Sequence, residues 1–130
     1  YKELFRKGNY TTAVVVVRTE FLKEHPLIVE NFIKAHVDVT TYINNNPGIA
    51  KVIVNKQITE LTKKGIEKDV LDAAFKRLTI TNNPEKDSVL DFVKFSLQEG
   101  FLRLNPDTKN LFNLTILNKV LKEKGQVQIK

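Results

Sequence analysis

Residues Thr11-Thr12-Ala13-Val14-Val15-Val16-Val17 form an uncharged run in which every residue but Ala13 is β-branched. Such side chains are stiff at χ1 and favour the extended backbone of a pleated surface. A continuous apolar run, as opposed to an alternating one, is the pattern of a strand buried on both faces. Bounded in front by Gly8-Asn9, the run predicts one core-type strand over residues 10–18. A lone strand cannot pair its own backbone N–H and C=O groups, so this reading demands neighbouring strands. The rest of the chain does not supply them, because it reads as helix.

Three of the four Asn-Pro or His-Pro steps, at Pro26, Pro47 and Pro84, punctuate that helical part, each with Pro at a plausible first helical position. After His25-Pro26, the residues Val29, Phe32, Ile33, His36, Val37, Thr40 and Ile43 recur at spacings of three and four, predicting a helix to about Asn45. Asn46-Pro47 opens a second helix with Ile49, Ala50, Ile53, Gln57 and Leu61 on one face and Gly65 as its left-handed stop. A third, Glu67 to Leu78, turns Val70, Leu71, Ala74, Phe75 and Leu78 inward. A fourth, Pro84 to about Glu99, uses Val89, Phe92, Val93 and Leu97 and stops at Gly100. Asn113 caps a short last helix holding Leu114, Leu117, Val120 and Leu121, which Gly125 ends. The fold class expected is therefore mostly α, about five helices over 26–125, with one core-type strand whose sheet lies elsewhere.

Composition narrows the function classes. The longest apolar run is far shorter than the roughly 18 to 20 residues of a membrane-spanning helix. No cysteine occurs among the 130 residues, so disulfide scaffolds and Cys-ligated metal sites are excluded. The net charge of +6 raises a nucleic-acid partner. However, the 21 basic residues comprise 17 Lys and only 4 Arg, interleaved with Glu and Asp and not gathered in a stripe. The densest group, Lys119, Lys122, Lys124 and Lys130, suits the negative end of the last helix, so no nucleic acid is expected. The chain opens at Tyr1 without a methionine or a leader pattern, and the expectation is a piece of a longer reading frame.

Chemistry-bearing residues are few. His25 and His36 fit neither a metal pair at i, i+4 nor a shared site with a carboxylate, and they read as a cap and a core-edge residue. Glu20 and Glu24 read as solvated charges, and no phosphate-binding loop or nucleophile motif is present. No catalytic, metal or cofactor site is expected. Tyr10, Thr11 and Thr12 place three hydroxyls at a strand end, where α/β folds commonly hold ligands. The alternative for these residues is a strand end whose hydroxyls cap a neighbouring turn.

The run Val14 to Val17 followed by Arg18-Thr19-Glu20-Phe21-Leu22-Lys23-Glu24-His25-Pro26, then Val29, Phe32, Ala35-His36, Tyr42-Ile43-Asn44 and Asn46-Pro47, resembles the C-terminal third of solute-binding proteins of ABC importers in the nitrate, sulfonate and taurine group. Phe92, Gly100-Phe101-Leu102, Asp107, Leu111-Phe112-Asn113-Leu114 and Leu117-Asn118-Lys119-Val120-Leu121 are similar to that family's closing segment. The resemblance spans nearly the whole chain, through packing and capping patterns of moderate individual specificity. It implies the C-terminal part of a two-lobed α/β periplasmic-binding-protein-like fold, with 10–18 the returning hinge strand and 26–125 the helices after it. It also implies capture of a small solute, such as a sulfonate or nitrate, and its delivery to an ABC permease, with no bond made or broken.

Under the same resemblance Tyr10, Thr11 and Thr12 would face ligand, whereas Arg18, from its position after the strand, is expected to form a solvent salt bridge, with a hinge or ligand-charge partner as the alternative. The location implied is extracytoplasmic, as a cell-surface lipoprotein or in the periplasm. The missing N-terminal part of the same chain would complete the fold. Alone, the piece is expected to bind weakly or not at all, and its valine run to seek a partner by strand exchange into a homodimer. The competing class is a stand-alone helical module that holds a protein or nucleic acid.

Overall fold

The structure, a computed structural model, describes residue 5 and residues 10–130. Among the described residues six helices follow one another: α1 (Thr19–Glu24), α2 (Pro26–Asn45), α3 (Pro47–Thr62), α4 (Lys68–Arg77), α5 (Lys86–Gln98) and α6 (Thr115–Glu123). The chain divides into two compact units, one formed by residues 1–33 and 83–130, the other by residues 34–82.

Among the described residues there is no strand, so the fold is helical and the expected one-strand α/β architecture is overturned. Residues 10–18 do not form the hinge strand. The backbone groups of Ala13–Val17 have no hydrogen-bond partner among the described residues, and Val14 to Val17 are all exposed, Val16 to 84%. The physical reason is the one the run itself announces. Propensity can keep β-branched residues out of a helix, but a ladder needs a second strand, and no described segment provides one. The Gly8-Asn9 boundary lies outside the described residues.

The proline steps set two helix starts as expected. Pro26 and Pro47 occupy first helical positions, where the fixed φ suits the helix and the missing N–H has no intrahelical role. Around the first, the His25 carbonyl accepts from the N–H groups of Ile28 at 3.1 Å and Val29 at 3.3 Å. Around the second, Asn46 closes α2, its backbone N–H and its side-chain Nδ2 both donating to the Tyr42 carbonyl.

Other boundaries differ from expectation for local reasons. Helix α3 stops at Lys63, not Gly65. Lys63 takes the left-handed conformation at φ 61° and donates its N–H to the Thr59 carbonyl. Helix α5 starts at Lys86, two residues after Pro84, because the Asn83 side chain folds onto Glu85. Its Oδ1 accepts the Glu85 N–H at 3.0 Å, which holds Glu85 at φ 52° outside the helix. Asn113 works in the same way, accepting the Thr115 N–H at 3.1 Å while Leu114 takes the cap position. Gly125 does end α6, at φ +67°, where its N–H reaches the Lys122 carbonyl and the Gln126 N–H the Leu121 carbonyl.

The sixth helix, α1, is unforeseen. Arg18 stays extended, accepts the Leu22 N–H and lets one short helix form, with Glu20 in the first turn and Lys23 in the last matching its dipole.

Burial follows the helical stripes only in part. Val29, Val37, Thr40, Ala50, Leu71, Val120 and Leu121 are buried as their spacing predicts. Phe32, Ile49, Ile53, Leu61, Val70, Leu78 and Phe92 share those stripes yet are exposed. An amphipathic stripe marks which side wants cover, and the described polypeptide covers less than the stripes ask for.

Candidate ligand-facing site

Tyr10, Thr11 and Thr12 lie at the entrance to the valine run, in the first unit, beside the start of α5. Thr11 is tied down twice. Its backbone N–H donates to Ser88 Oγ at 2.8 Å and its hydroxyl donates to the Pro84 carbonyl at 3.2 Å. Pro84 and Ser88 bracket the turn that opens α5, so the Thr11 hydroxyl caps a neighbouring turn. Tyr10 is partly exposed and stacks on Phe5, centroids 5.5 Å apart and 24° between planes. Phe5 is buried and also meets Phe92 at 5.0 Å and Phe95 at 5.8 Å, the latter edge-on. Thr12 is exposed. The three hydroxyl residues are therefore neighbours, Tyr10 and Thr12 exposed and Thr11 half-buried.

Two residues that sequence reasoning missed complete this corner. Ser88 and Asp91, one helical turn apart on α5, are buried to 4% and 3% exposure. The stripe Val89, Phe92, Val93 and Leu97 hides them, because a polar residue beside an apolar one reads as the solvent side. The signal available was the i, i+3 spacing of Ser88 and Asp91, alongside Asp87 in the first turn.

After the valine run the same unit carries an open apolar groove of about 320 Å³, bordered by Val15, Val17, Phe21, Ile28 and Phe32, with Arg18 at its edge. No carboxylate pairs with the Arg18 guanidinium among the described residues, so the expected solvent salt bridge is not formed. His25 ends α1 with its ring 4.8 Å from that of Phe21 and its Nε2 4.0 Å from Glu24. His36 is exposed on α2, not at a core edge.

The second unit holds a more polar hollow of about 600 Å³ between α3 and α4, bordered by Lys51, Asn55, Thr59, Lys68 and Asp72. Lys51 and Lys68 both donate to Asp72, Lys68 at 2.9 Å to Oδ2, and hold its carboxyl well below the usual range, at about 2. Lys51 contributes most, through its hydrogen bond, and its Nζ also stands 5.8 Å over the Phe75 ring. With the charge of Asp72 answered twice, this cluster is an ion-pair network with no free base.

No group of three or more metal-ligating side chains occurs among the described residues, and no described helix is long and apolar enough to cross a membrane. No family model, no curated protein and no solved structure matches the chain.

Proposed function

We propose that this chain is part of the substrate-binding component of an ABC importer, which captures a small solute such as a sulfonate or nitrate outside the cell and hands it to the permease. The support is the resemblance set out above. Two of its landmarks, His25-Pro26 and Asn46-Pro47, coincide with the starts of α2 and α3. The observation that carries the reading is the uncovered apolar side of residues 14–32. Val14 to Val17, Phe21, Ile28 and Phe32 are exposed together in one unit, as expected of polypeptide that packs on more polypeptide. Binding proteins of this kind work by closing around a ligand and presenting the closed form to a permease. On this reading Tyr10 and Thr12 are the residues of the chain closest to the solute, Thr11 is their anchor, and the protein acts outside the cytoplasm.

The test is to read the source frame upstream of the Tyr1 codon, produce the whole polypeptide, and titrate it calorimetrically with taurine, short alkanesulfonates and nitrate. A frame extending upstream by further coding sequence, behind an export signal, with one-to-one binding of one of these solutes, is the expected result. A start codon just before Tyr1, or a longer protein that binds none of them, overturns the reading.

The finding that no strand occurs among the described residues favours a second reading, a helical module that holds a protein or nucleic acid. A nucleic-acid affinity that falls steeply with salt would support that reading.

A further inference from the structure

We propose that the hollow between α3 and α4 binds a small organic phosphate, whose dianion is held by Lys51 and Lys68. The inference rests on this hollow and not on the transport reading. Its volume of about 600 Å³ is within the usual range of a small-molecule site, roughly 300 to 1,000 Å³. One face of α3, from Lys51 to Thr59, forms one wall, and Lys68, Leu71 and Asp72 on α4 form the other. Most of the polar side chains in these walls are already committed. Asn55 is spent on Ile66 through both ends of its amide, and the Thr59 hydroxyl donates to the Asn55 carbonyl. Both Asp72 oxygens accept from ammonium groups. An ammonium group has three N–H donors, and among the described residues Lys51 and Lys68 each donate only to Asp72. The Lys51 side chain is only 26% exposed, so its remaining donors are partly withdrawn from water. A half-buried ammonium with donors to spare favours a ligand that accepts them.

Charge selects the class of ligand. Lys51, Lys56 and Lys68 border the hollow against Asp72, three positive charges against one negative, which leaves an excess of two. Lys56 also meets Glu60 at 3.9 Å, but that i, i+4 pair is exposed on both sides and holds its partners weakly. Asp72 gathers Lys51 and Lys68 onto its two oxygens, against the repulsion that would otherwise keep two ammonium groups apart. A phosphate monoester at neutral pH carries close to two negative charges and three acceptor oxygens, so it can take a donor from each ammonium. A sulfonate or nitrate carries one charge and answers only half of the excess. Val52 and Leu71 add apolar surface to the walls, which suits an organic group on the phosphate better than inorganic phosphate alone.

The test is a titration of the isotope-labelled chain with phenyl phosphate at constant ionic strength, followed by amide NMR, with inorganic phosphate and benzenesulfonate as separate arms. Saturable shifts confined to residues 48–59 and 68–72 are expected, with phenyl phosphate binding more tightly than either of the others. Lys68→Ala is the discriminating variant, because its side chain is 93% exposed and the fold does not depend on it. It should weaken phenyl phosphate binding about tenfold, the worth of one charged hydrogen bond. Lys76→Ala, on the same helix but outside the hollow, should leave binding unchanged. No saturable shift with phenyl phosphate overturns the proposal. So does an equal loss from Lys76→Ala and Lys68→Ala, which would mark diffuse attraction to a chain of net charge +6. Benzenesulfonate binding as tightly as phenyl phosphate overturns the selection of a dianion, and inorganic phosphate binding as tightly overturns the organic group.

Discussion

The link between α3 and α4 and the valine run before α1 answer the same demand in opposite ways. Both must leave their backbone polar groups satisfied where no regular element does it. The α3–α4 link does so with its own side chains. Asn55, on α3, accepts the Ile66 N–H at 2.7 Å and donates to the Ile66 carbonyl at 2.9 Å, so one side-chain amide stands in for a paired strand residue. Thr62 and Lys63 close the same turn. The valine run has no polar side chain with which to do this, and its N–H and C=O groups find no partner among the described residues. Polar side chains make a connection self-sufficient, whereas a β-branched run makes it depend on a partner.

The device recurs at the other end of the chain. Asn118, on α6, accepts the Ile129 N–H at 2.8 Å and donates to the Ile129 carbonyl at 2.9 Å, again across eleven residues. In each case an asparagine within a helix reaches past the helix end to an isoleucine and pins the returning chain.

The largest effect expected from this contrast comes from comparing one buried and one open apolar side chain. Leu71, buried on α4, should lose about 2–5 kcal/mol of stability as Leu71→Ala, because the cavity cannot fully collapse. Val16→Ala should stay within about 0.5 kcal/mol under conditions where the chain is a monomer. Urea denaturation of both variants checks the pair. A comparable loss at both positions would show that the valine run is covered after all.

Asn55→Ala should follow, at about 1–3 kcal/mol, since it strands both the N–H and the C=O of Ile66. Asn55→Asp keeps the acceptor and loses the donor, and should cost less. If Asn55→Ala is neutral by the same denaturation, water replaces the amide without loss, and the contrast between the two regions weakens.

Gly65 sharpens the same turn. It is not the helix stop its position suggested, and no left-handed φ requires glycine there. What requires it is space, because a Cβ at Gly65 would stand 2.8 Å from Thr59 Oγ1, which is itself donating to the Asn55 carbonyl at 2.7 Å. Gly65→Ala should cost about 1 kcal/mol or somewhat more through overpacking. Thr59→Ala in the same chain should restore most of that loss, a coupling that a double-mutant cycle measures directly.

Much of the helical layout was readable because proline and spacing are local signals. Pro26, Pro47 and the three-and-four recurrence from Val29 to Ile43 state their structure without reference to the rest of the chain. The strand predicted over residues 10–18 does not form because its evidence is only half local: four valines favour extended backbone over helix but cannot provide a ladder. The stops and starts at Lys63, Glu85 and Leu114 escaped for a different reason, since each depends on one side-chain hydrogen bond or one left-handed residue that competes with the more obvious Gly65, Pro84 or Asn113. At the candidate site, the hydroxyl cluster of Tyr10, Thr11 and Thr12 could be read from the sequence. Its anchor at Ser88 could not, because a partner 77 residues away leaves no mark on local spacing.

The smallest effect expected is electrostatic, and it separates the ion pairs of the second unit from its amide clamp. Asp72 is held at about 2 against an ordinary 3.8, first by the hydrogen bond from Lys51 and then by that from Lys68. A carboxyl with a depressed folded pKa binds fewer protons in the native than in the unfolded chain. Its contribution is complete above the unfolded value near 4 and is lost as pH falls from there towards 2. Other carboxylates titrate in that window too, so the informative quantity is the stability gap between the natural chain and Asp72→Asn. That gap should be constant from pH 7 to 5 and close as the pH falls from about 4 to 2, whereas the gap for Asn55→Ala should not change with pH. Lys51→Ala should narrow the Asp72 gap more than Lys68→Ala, since the Lys68 side chain is 93% exposed and a surface pair contributes little. A gap for Asp72→Asn that persists at pH 2 would mean that Asp72 acts by packing and not by charge.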